Sequence, residues 1–147
     1  MTTPIPTRGQ VERTLAQRIQ ALYRDQLGHQ PDKVICQLSD QNVVVVMENS
    51  ITQPEQLLAK TGHQELAEKV RSDLDDVIQE QLKALIEETL NVSVIEVLAD
   101  TTIKTSRTGF IAILTEPPTI RTPTPNSNKV TRVSSDRRDR SNTPKSA

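Results

Sequence analysis

A long stretch with helical periodicity, residues 63–90, constrains the fold of this chain more than any other feature. Its apolar residues recur every three or four positions and form one broad stripe, which predicts a single amphipathic helix. At 1.5 Å per residue, a helix of roughly 27 residues is about 40 Å long, more than a sheet of short strands can cover. We therefore expect part of the stripe to contact a partner. The candidate contacts are Leu74, Val77, Ile78, Leu82, Leu85 and Ile86.

The other apolar segments predict two more helices and four strands. A helical pattern from Gln10 ends at Gly28, a residue that favours a helix C-terminus. Thr52 and Glu55 have the spacing of a capping box at the start of a short helix. The β-branched run 43–47 is typical of a strand that is covered on both faces. The predicted elements are helices 10–27, 52–61 and 63–90 and strands 33–38, 43–47, 92–99 and 109–114, with a polar loop over 100–108.

This order, α-β-β-α-α-β-β, predicts an α+β fold. We expect a two-layer sandwich in which helices, including the long amphipathic one, pack on one face of a mostly antiparallel four-stranded sheet. A chain of 147 residues is long enough for one such domain and too short for two ordinary ones. We assign residues 10–115 to the domain and residues 1–9 to a flexible N-terminus.

The composition changes abruptly at Glu116. Residues 116–147 are rich in Pro, Ser and Thr and contain seven Lys or Arg against three Asp or Glu, whereas the preceding residues contain 11 and 16. A segment with so few apolar residues is predicted to be a disordered basic tail. It either binds an acidic surface or only keeps the chain in solution. The candidate electrostatic contacts are Arg132, Arg137, Arg138 and Arg140.

Residues that carry chemistry are present but do not form a recognisable site. Asp73, Asp75 and Asp76 lack the spacing of a calcium loop and do not share one helix face. The adjacent Glu87 and Glu88 diverge by about 100° on a helix, which disfavours paired acid–base catalysis. The sequence therefore predicts no catalytic residues and no enzymatic activity.

Binding sites for metals and cofactors are not predicted either. His29 and His63 have no Cys or second His at metal-ligand spacing, and Cys36 lies in an alternating apolar strand, where a buried structural thiol is expected. The four glycines form no phosphate-binding loop. Tyr23 and Phe110 are the only aromatic residues, which disfavours nucleic acid as a partner.

The sequence also predicts that the protein is cytoplasmic. No apolar run approaches the roughly 20 residues of a membrane-spanning helix, so no integral membrane segment is predicted. A single cysteine fits a reducing compartment. Helical periodicity alone does not distinguish packing on the chain's own sheet from a homo-oligomer formed through the long helix.

Several segments together resemble a known bacterial family. They are the helix 11–27, the turn Gly28-His29-Gln30-Pro31, the segment Thr52-Gln53-Pro54-Glu55, Gly62 with Glu65, Val70 and Arg71, and the closing Glu87-Glu88, Val92-Ser93-Val94 and Asp100. This pattern, over about residues 10–114, resembles the MpsC-like family, formerly a domain of unknown function. The family is named after a component of a sodium-translocating system that generates membrane potential. The resemblance implies no catalytic residues.

Residues 13–24 and 27–31 look most similar to a cyanobacterial branch of this family, that of gas vesicle protein V. The branch implies a non-enzymatic accessory or minor structural protein of gas vesicle assembly, cytoplasmic and associated with vesicles, with other gas vesicle proteins as partners. The family name implies an alternative: a soluble regulator or subunit of a sodium or inorganic-carbon membrane transport system. A third hypothesis, association with nucleic acid through the basic tail, ranks below both.

Overall fold

A computed structural model describes residues 4–121 of the chain. Three helices and four strands follow one another in the predicted order: α1 (Arg8–Leu27), β1 (Lys33–Ser39), β2 (Asn42–Glu48), α2 (Gln53–Lys60), α3 (Gln64–Leu90), β3 (Val94–Thr102) and β4 (Arg107–Leu114). The predicted α+β class is thus confirmed. The four tail arginines, Arg132, Arg137, Arg138 and Arg140, lie outside the described residues.

Local chemistry explains where the helices begin and end. The Thr7 and Gln10 side chains form a reciprocal capping box at the start of α1, and Thr52 and Glu55 form another at the start of α2. Helix α1 ends at Gly28, whose φ of 69° is left-handed and costs glycine little. Asn91 ends α3 in the same region, with a φ of 57°.

The sheet has the strand order β1-β2-β4-β3, and every neighbouring pair is antiparallel. Strands β1 and β2 form a hairpin through Asp40 and Gln41. Strands β3 and β4 form the other, through residues 103–106. The predicted loop 100–108 is therefore too long, because the threonines at its ends continue the strands: Thr101 pairs with Thr108, and Thr102 with Arg107.

The core lies between the helices and one face of the sheet. Helix α1 contributes Val11, Leu15, Ile19 and Tyr23, and α3 contributes Ile78, Leu82, Ile86 and Leu90. The inward-facing strand residues are Cys36, Leu38, Val43, Val45, Met47, Val94, Phe110, Ala112 and Leu114. Every second residue of β2 is buried, as expected for a sheet with helices on one side only.

The expectation that β2 is covered on both faces is wrong. Val43, Val45 and Met47 are buried, but Val46 is 38% exposed on the opposite face. Within residues 4–121 the unbroken β-branched run reflects an apolar outer face and not a second covering layer. This outer face, which carries Ile35, Val44, Val46, Leu98 and Ile111, is called the open sheet face below.

The packed part of the chain extends a few residues past the ends assigned from the sequence. Helix α1 begins at Arg8, and near the other end Pro118 is buried and Ile120 packs against the core. The Arg121 N–H donates to the Pro6 carbonyl over 2.7 Å, which joins the two ends of the described segment. Between residues 4 and 121, no helix has the length and hydrophobicity needed to cross a membrane.

Candidate functional site

A group of charged side chains is buried where α2 and α3 meet. The Arg71 side chain is 3% exposed and that of Glu55 is 2% exposed, and Arg71 Nε lies 3.2 Å from Glu55 Oε2. One turn further along α3, Asp75 Oδ1 lies 3.6 Å from Arg71 Nη1, and the Asp75 side chain is 23% exposed. Two carboxylates thus share one guanidinium. We call Glu55, Arg71 and Asp75 the buried charge cluster.

Each member of the cluster also fixes a neighbouring segment. Glu55 Oε1 accepts hydrogen bonds from the Thr52 N–H and hydroxyl over 3.2 and 2.7 Å, which completes the cap of α2. Arg71 Nη2 donates to the carbonyl of Ser50, in the link between β2 and α2. The Thr101 hydroxyl donates to Asp75 Oδ2 over 3.0 Å. The cluster therefore ties the β2–α2 connection and the β3–β4 hairpin to α3.

A row of hydroxyl groups continues from the cluster across the end of the sheet. Thr101 Oγ1 lies 3.0 Å from Thr108 Oγ1, which lies 2.8 Å from Ser50 Oγ. The Ser106 hydroxyl accepts from the Ile51 N–H over 3.1 Å. These contacts satisfy polar groups that would otherwise be costly to bury.

The buried charge cluster contains one positive and two negative side chains, and the pKa of one of them, Asp75, is shifted. Burial raises the pKa of Asp75 above its ordinary value of 3.8, and this effect exceeds the lowering by Arg71 and by the hydrogen bond from Thr101. The Glu55 and Asp76 carboxylates raise it further. A carboxyl group in this setting binds a proton more readily than one in water.

A pocket of about 540 Å³ opens above Asp75, between α3 and the β3–β4 hairpin. Its wall contains more acidic than basic side chains. The acidic ones are Glu68, Asp75, Asp76 and Asp100, and the basic ones are Arg71 and Lys104. Because Arg71 is already paired with Glu55, the pocket favours a positively charged group from outside the chain.

The three aspartates considered from the sequence have different surroundings. Asp73 accepts from Lys69 Nζ at 3.0 and 3.1 Å on the exposed side of α3, whereas Asp75 points inward and Asp76 borders the pocket. Among residues 4–121, no three His, Cys, Asp or Glu side chains are arranged to hold a metal ion.

The remaining candidates are used in structural contacts. Glu87 accepts from the Val94 N–H over 2.8 Å and fixes the start of β3, while Glu88 pairs with Arg18 of α1. A ring nitrogen of His29 lies 2.7 Å from the Asn49 carbonyl. His63 is exposed and precedes α3 without a side-chain cap.

Cys36 is buried in the core. Burial, with a smaller contribution from Glu12, raises the pKa of its thiol to about 12. The thiol is therefore protonated at neutral pH, which makes it a poor nucleophile.

The apolar stripe of α3 faces mainly inward. Ile78, Leu82 and Ile86 are buried in the core, so the structure removes these three from the candidate partner contacts. Leu85 is half-buried against the same core, and Leu74 borders a groove with Leu58 and Val70 of α2 and α3. Val77, at 62% exposed, is the member of the set that faces outward. The sequence estimate failed because α1 and α2, as well as the sheet, cover the long helix.

The buried charge cluster was not predicted, although the sequence contains a signal for it. Arg71 is four residues after the buried Ala67 and seven before the buried Ile78, so it lies on the inward face of α3. The capping box with Thr52 already accounted for Glu55 in the sequence, so its additional ion pair with Arg71 was not expected.

Comparison with known proteins identifies the family. Residues 7–116 match the family model described as "Na+-translocating membrane potential-generating system (MpsC)". No curated protein and no solved structure matches the chain significantly. The expectation of a gas vesicle assembly protein is therefore wrong, since the matched family is described as a sodium system and nothing supports the likeness to gas vesicle protein V. The match covers well over half of the residues, and the chain accordingly belongs to the MpsC family.

Proposed function

We propose that the protein is a non-enzymatic subunit or regulator of a sodium or inorganic-carbon membrane transport system. In this proposal a membrane-spanning partner carries the ion path, and the present chain acts by contacting that partner. The description of the matched family supports a role in such a system. The acidic pocket beside α3 is the observation that supports a contact role.

The charge of the described part fits such a contact. Residues 4–121 contain 12 Lys or Arg and 17 Asp or Glu, which gives a net charge of −5. Cytoplasmic loops of membrane proteins carry an excess of Lys and Arg. A lysine or arginine from such a loop would enter the pocket near Asp75 and Asp76 and supply the positive charge that the buried charge cluster lacks.

Affinity purification from solubilised membranes tests the contact. The variant Glu68→Lys/Asp76→Lys reverses two exposed charges at the pocket and should abolish co-purification of a polytopic membrane protein. The matched control, Asp25→Lys/Asp32→Lys, makes the same change in net charge at exposed positions outside the pocket lining and should retain the partner. Equal retention by both variants would show that the pocket is not the contact.

Growth experiments test the wider role. A deletion strain should grow poorly in a manner that depends on sodium or on inorganic-carbon supply, and the unmodified gene should restore growth. Normal growth at every sodium and carbon level, together with no membrane protein among the purified partners, would contradict the proposed function.

A further inference from the structure

The open sheet face is apolar at its centre although no helix among residues 4–121 covers it. Ile35, Val46, Leu98 and Ile111 are between 37% and 52% exposed there. Val44 adds a partly exposed side chain between them. An apolar face of this kind on a four-stranded sheet usually marks a contact surface.

The centre of the open sheet face also has a depression. Gly109 faces outward between Val46 of β2 and Asp100 of β3, and a Cβ built on it would meet only the Val45 carbonyl oxygen, at 3.7 Å. The depression around it has a volume of about 370 Å³ and is bordered by Val44, Val46 and Ile111. A bulky apolar side chain fits this space.

We infer that the open sheet face binds a second copy of this chain, through a two-fold axis that runs parallel to the strands between β2 and β4. In this arrangement β2 of each copy lies over β4 of the other. Rotation about this axis leaves each residue at the same position along the strand direction. A residue of β2 therefore lies opposite, on the other copy, the residue of β4 that is its cross-strand neighbour within its own chain.

The pairs that result are complementary in shape and charge. Val46 of each copy lies over Gly109 of the other and fills the depression, and Val44 lies over Ile111, because these residues occupy matching positions on β2 and β4. Glu48 of each copy likewise lies over Arg107 of the other. Each contact occurs twice, as a two-fold interface requires. The opposite charges of Glu48 and Arg107 favour a second copy over a partner of one dominant charge.

The size of the face indicates how tight the dimer is. Four strands spaced about 4.8 Å apart, with about seven residues each at about 3.3 Å, give an area of roughly 19 Å by 23 Å. This is about 440 Å² per copy, below the roughly 800 Å² per partner of a standard stable interface. We therefore expect a reversible dimer that forms in the micromolar range, with contacts concentrated on β2 and β4.

Sedimentation of the full chain from low micromolar to near-millimolar concentration tests the inference. We expect a concentration-dependent shift from monomer to dimer. Val46→Lys places two charges in the Gly109 depressions and should weaken the dimer by at least a hundredfold. Val77→Lys is the matched control, since Val77 is exposed on α3 away from the sheet, and it should leave the dimer unchanged.

A mixing experiment tests the orientation of the two copies. Glu48→Arg places like positive charges opposite each other twice, and Arg107→Glu does the same with negative charges, so each variant alone should dimerise roughly threefold to thirtyfold more weakly. In an equimolar mixture the new arginine of one variant faces the new glutamate of the other. The mixture should therefore dimerise more strongly than either variant alone.

Three outcomes would overturn the inference. A chain that remains monomeric at every concentration would show that the open sheet face does not bind a second copy. A dimer lost in Val77→Lys and kept in Val46→Lys would place the contact on the long helix. Failure of the mixture to recover would rule out the proposed two-fold axis. The melting temperature of each variant, measured at low concentration, separates loss of dimer from loss of fold.

Discussion

Replacement of Arg71 by methionine should destabilise the protein strongly, because Arg71 is the single cation of the buried charge cluster. Methionine retains much of the apolar stem but leaves Glu55, at 2% exposed, without its counter-ion. Removal of one partner from a buried pair costs about 3–5 kcal/mol of unfolding free energy. The lost hydrogen bond to the Ser50 carbonyl adds about 1 kcal/mol, while water partly screens Asp75, which lies nearer the surface.

The combined loss for Arg71→Met is therefore about 4 kcal/mol. For a folded region of this size, each kcal/mol lowers the melting temperature by about 4 °C, so the melting temperature should fall by roughly 15 °C. Urea unfolding followed by circular dichroism measures the free energy directly. The control Arg24→Met removes an exposed arginine that pairs with the adjacent Asp25 and should cost less than about 1 kcal/mol.

Two further measurements test the cause of the loss. In the triple variant Glu55→Gln/Arg71→Met/Asp75→Asn no buried charge remains unpaired, so it should be more stable than Arg71→Met alone. In Arg71→Met the loss of the guanidinium, which lowers the pKa of Asp75, should raise that pKa further. The folded state then binds this proton more readily than the unfolded state, so the deficit should shrink as the pH falls. An equal deficit in the triple variant, or one independent of pH, would refute the reasoning.

Three other groups give simple predictions. Because the pKa of Cys36 is about 12, its thiol should resist alkylation in the native protein at neutral pH and react fully in urea; rapid native labelling would contradict its burial. Burial, and secondarily Asp75, raises the pKa of the Tyr23 hydroxyl well above 10.0. The unfolded state therefore loses this proton first, and the stability of the fold should decrease as the pH rises past 10. Ultraviolet titration of this single tyrosine should show ionisation only together with unfolding. The raised pKa of Asp75 should make stability increase as the pH falls through that pKa towards 3.8, and this increase should be missing from Asp75→Asn in urea-unfolding curves.

The sequence predicted those parts of the fold that depend on local chemistry. Thr52 and Glu55 marked the start of α2, Gly28 marked the end of α1, and the seven elements occur in the expected order. These features follow from contacts between residues close in the chain, whose spacing can be read directly.

The parts that were not predicted depend on contacts between distant residues. The apolar run around Val46 has the same composition whether a second layer covers it or not. Arg71 and Glu55 are 16 positions apart, and only the packing of α2 on α3 brings them together. The proportion of the α3 stripe left free for a partner likewise depends on how α1 and α2 pack against it. Helical periodicity shows which residues of α3 are apolar, but not which of them the other helices cover.

The contact between the two ends of the described segment has a practical consequence. Thr7 and Arg121 form a parallel bridge, and the Arg121 N–H is held by the Pro6 carbonyl. A short linker would therefore join these ends without distorting the fold, and new ends could be opened at the Asp40–Gln41 turn to give a circular permutant. A reporter fused at either end would project from the same point of the molecule, so paired fluorophores there would report directly on whether α1 remains docked.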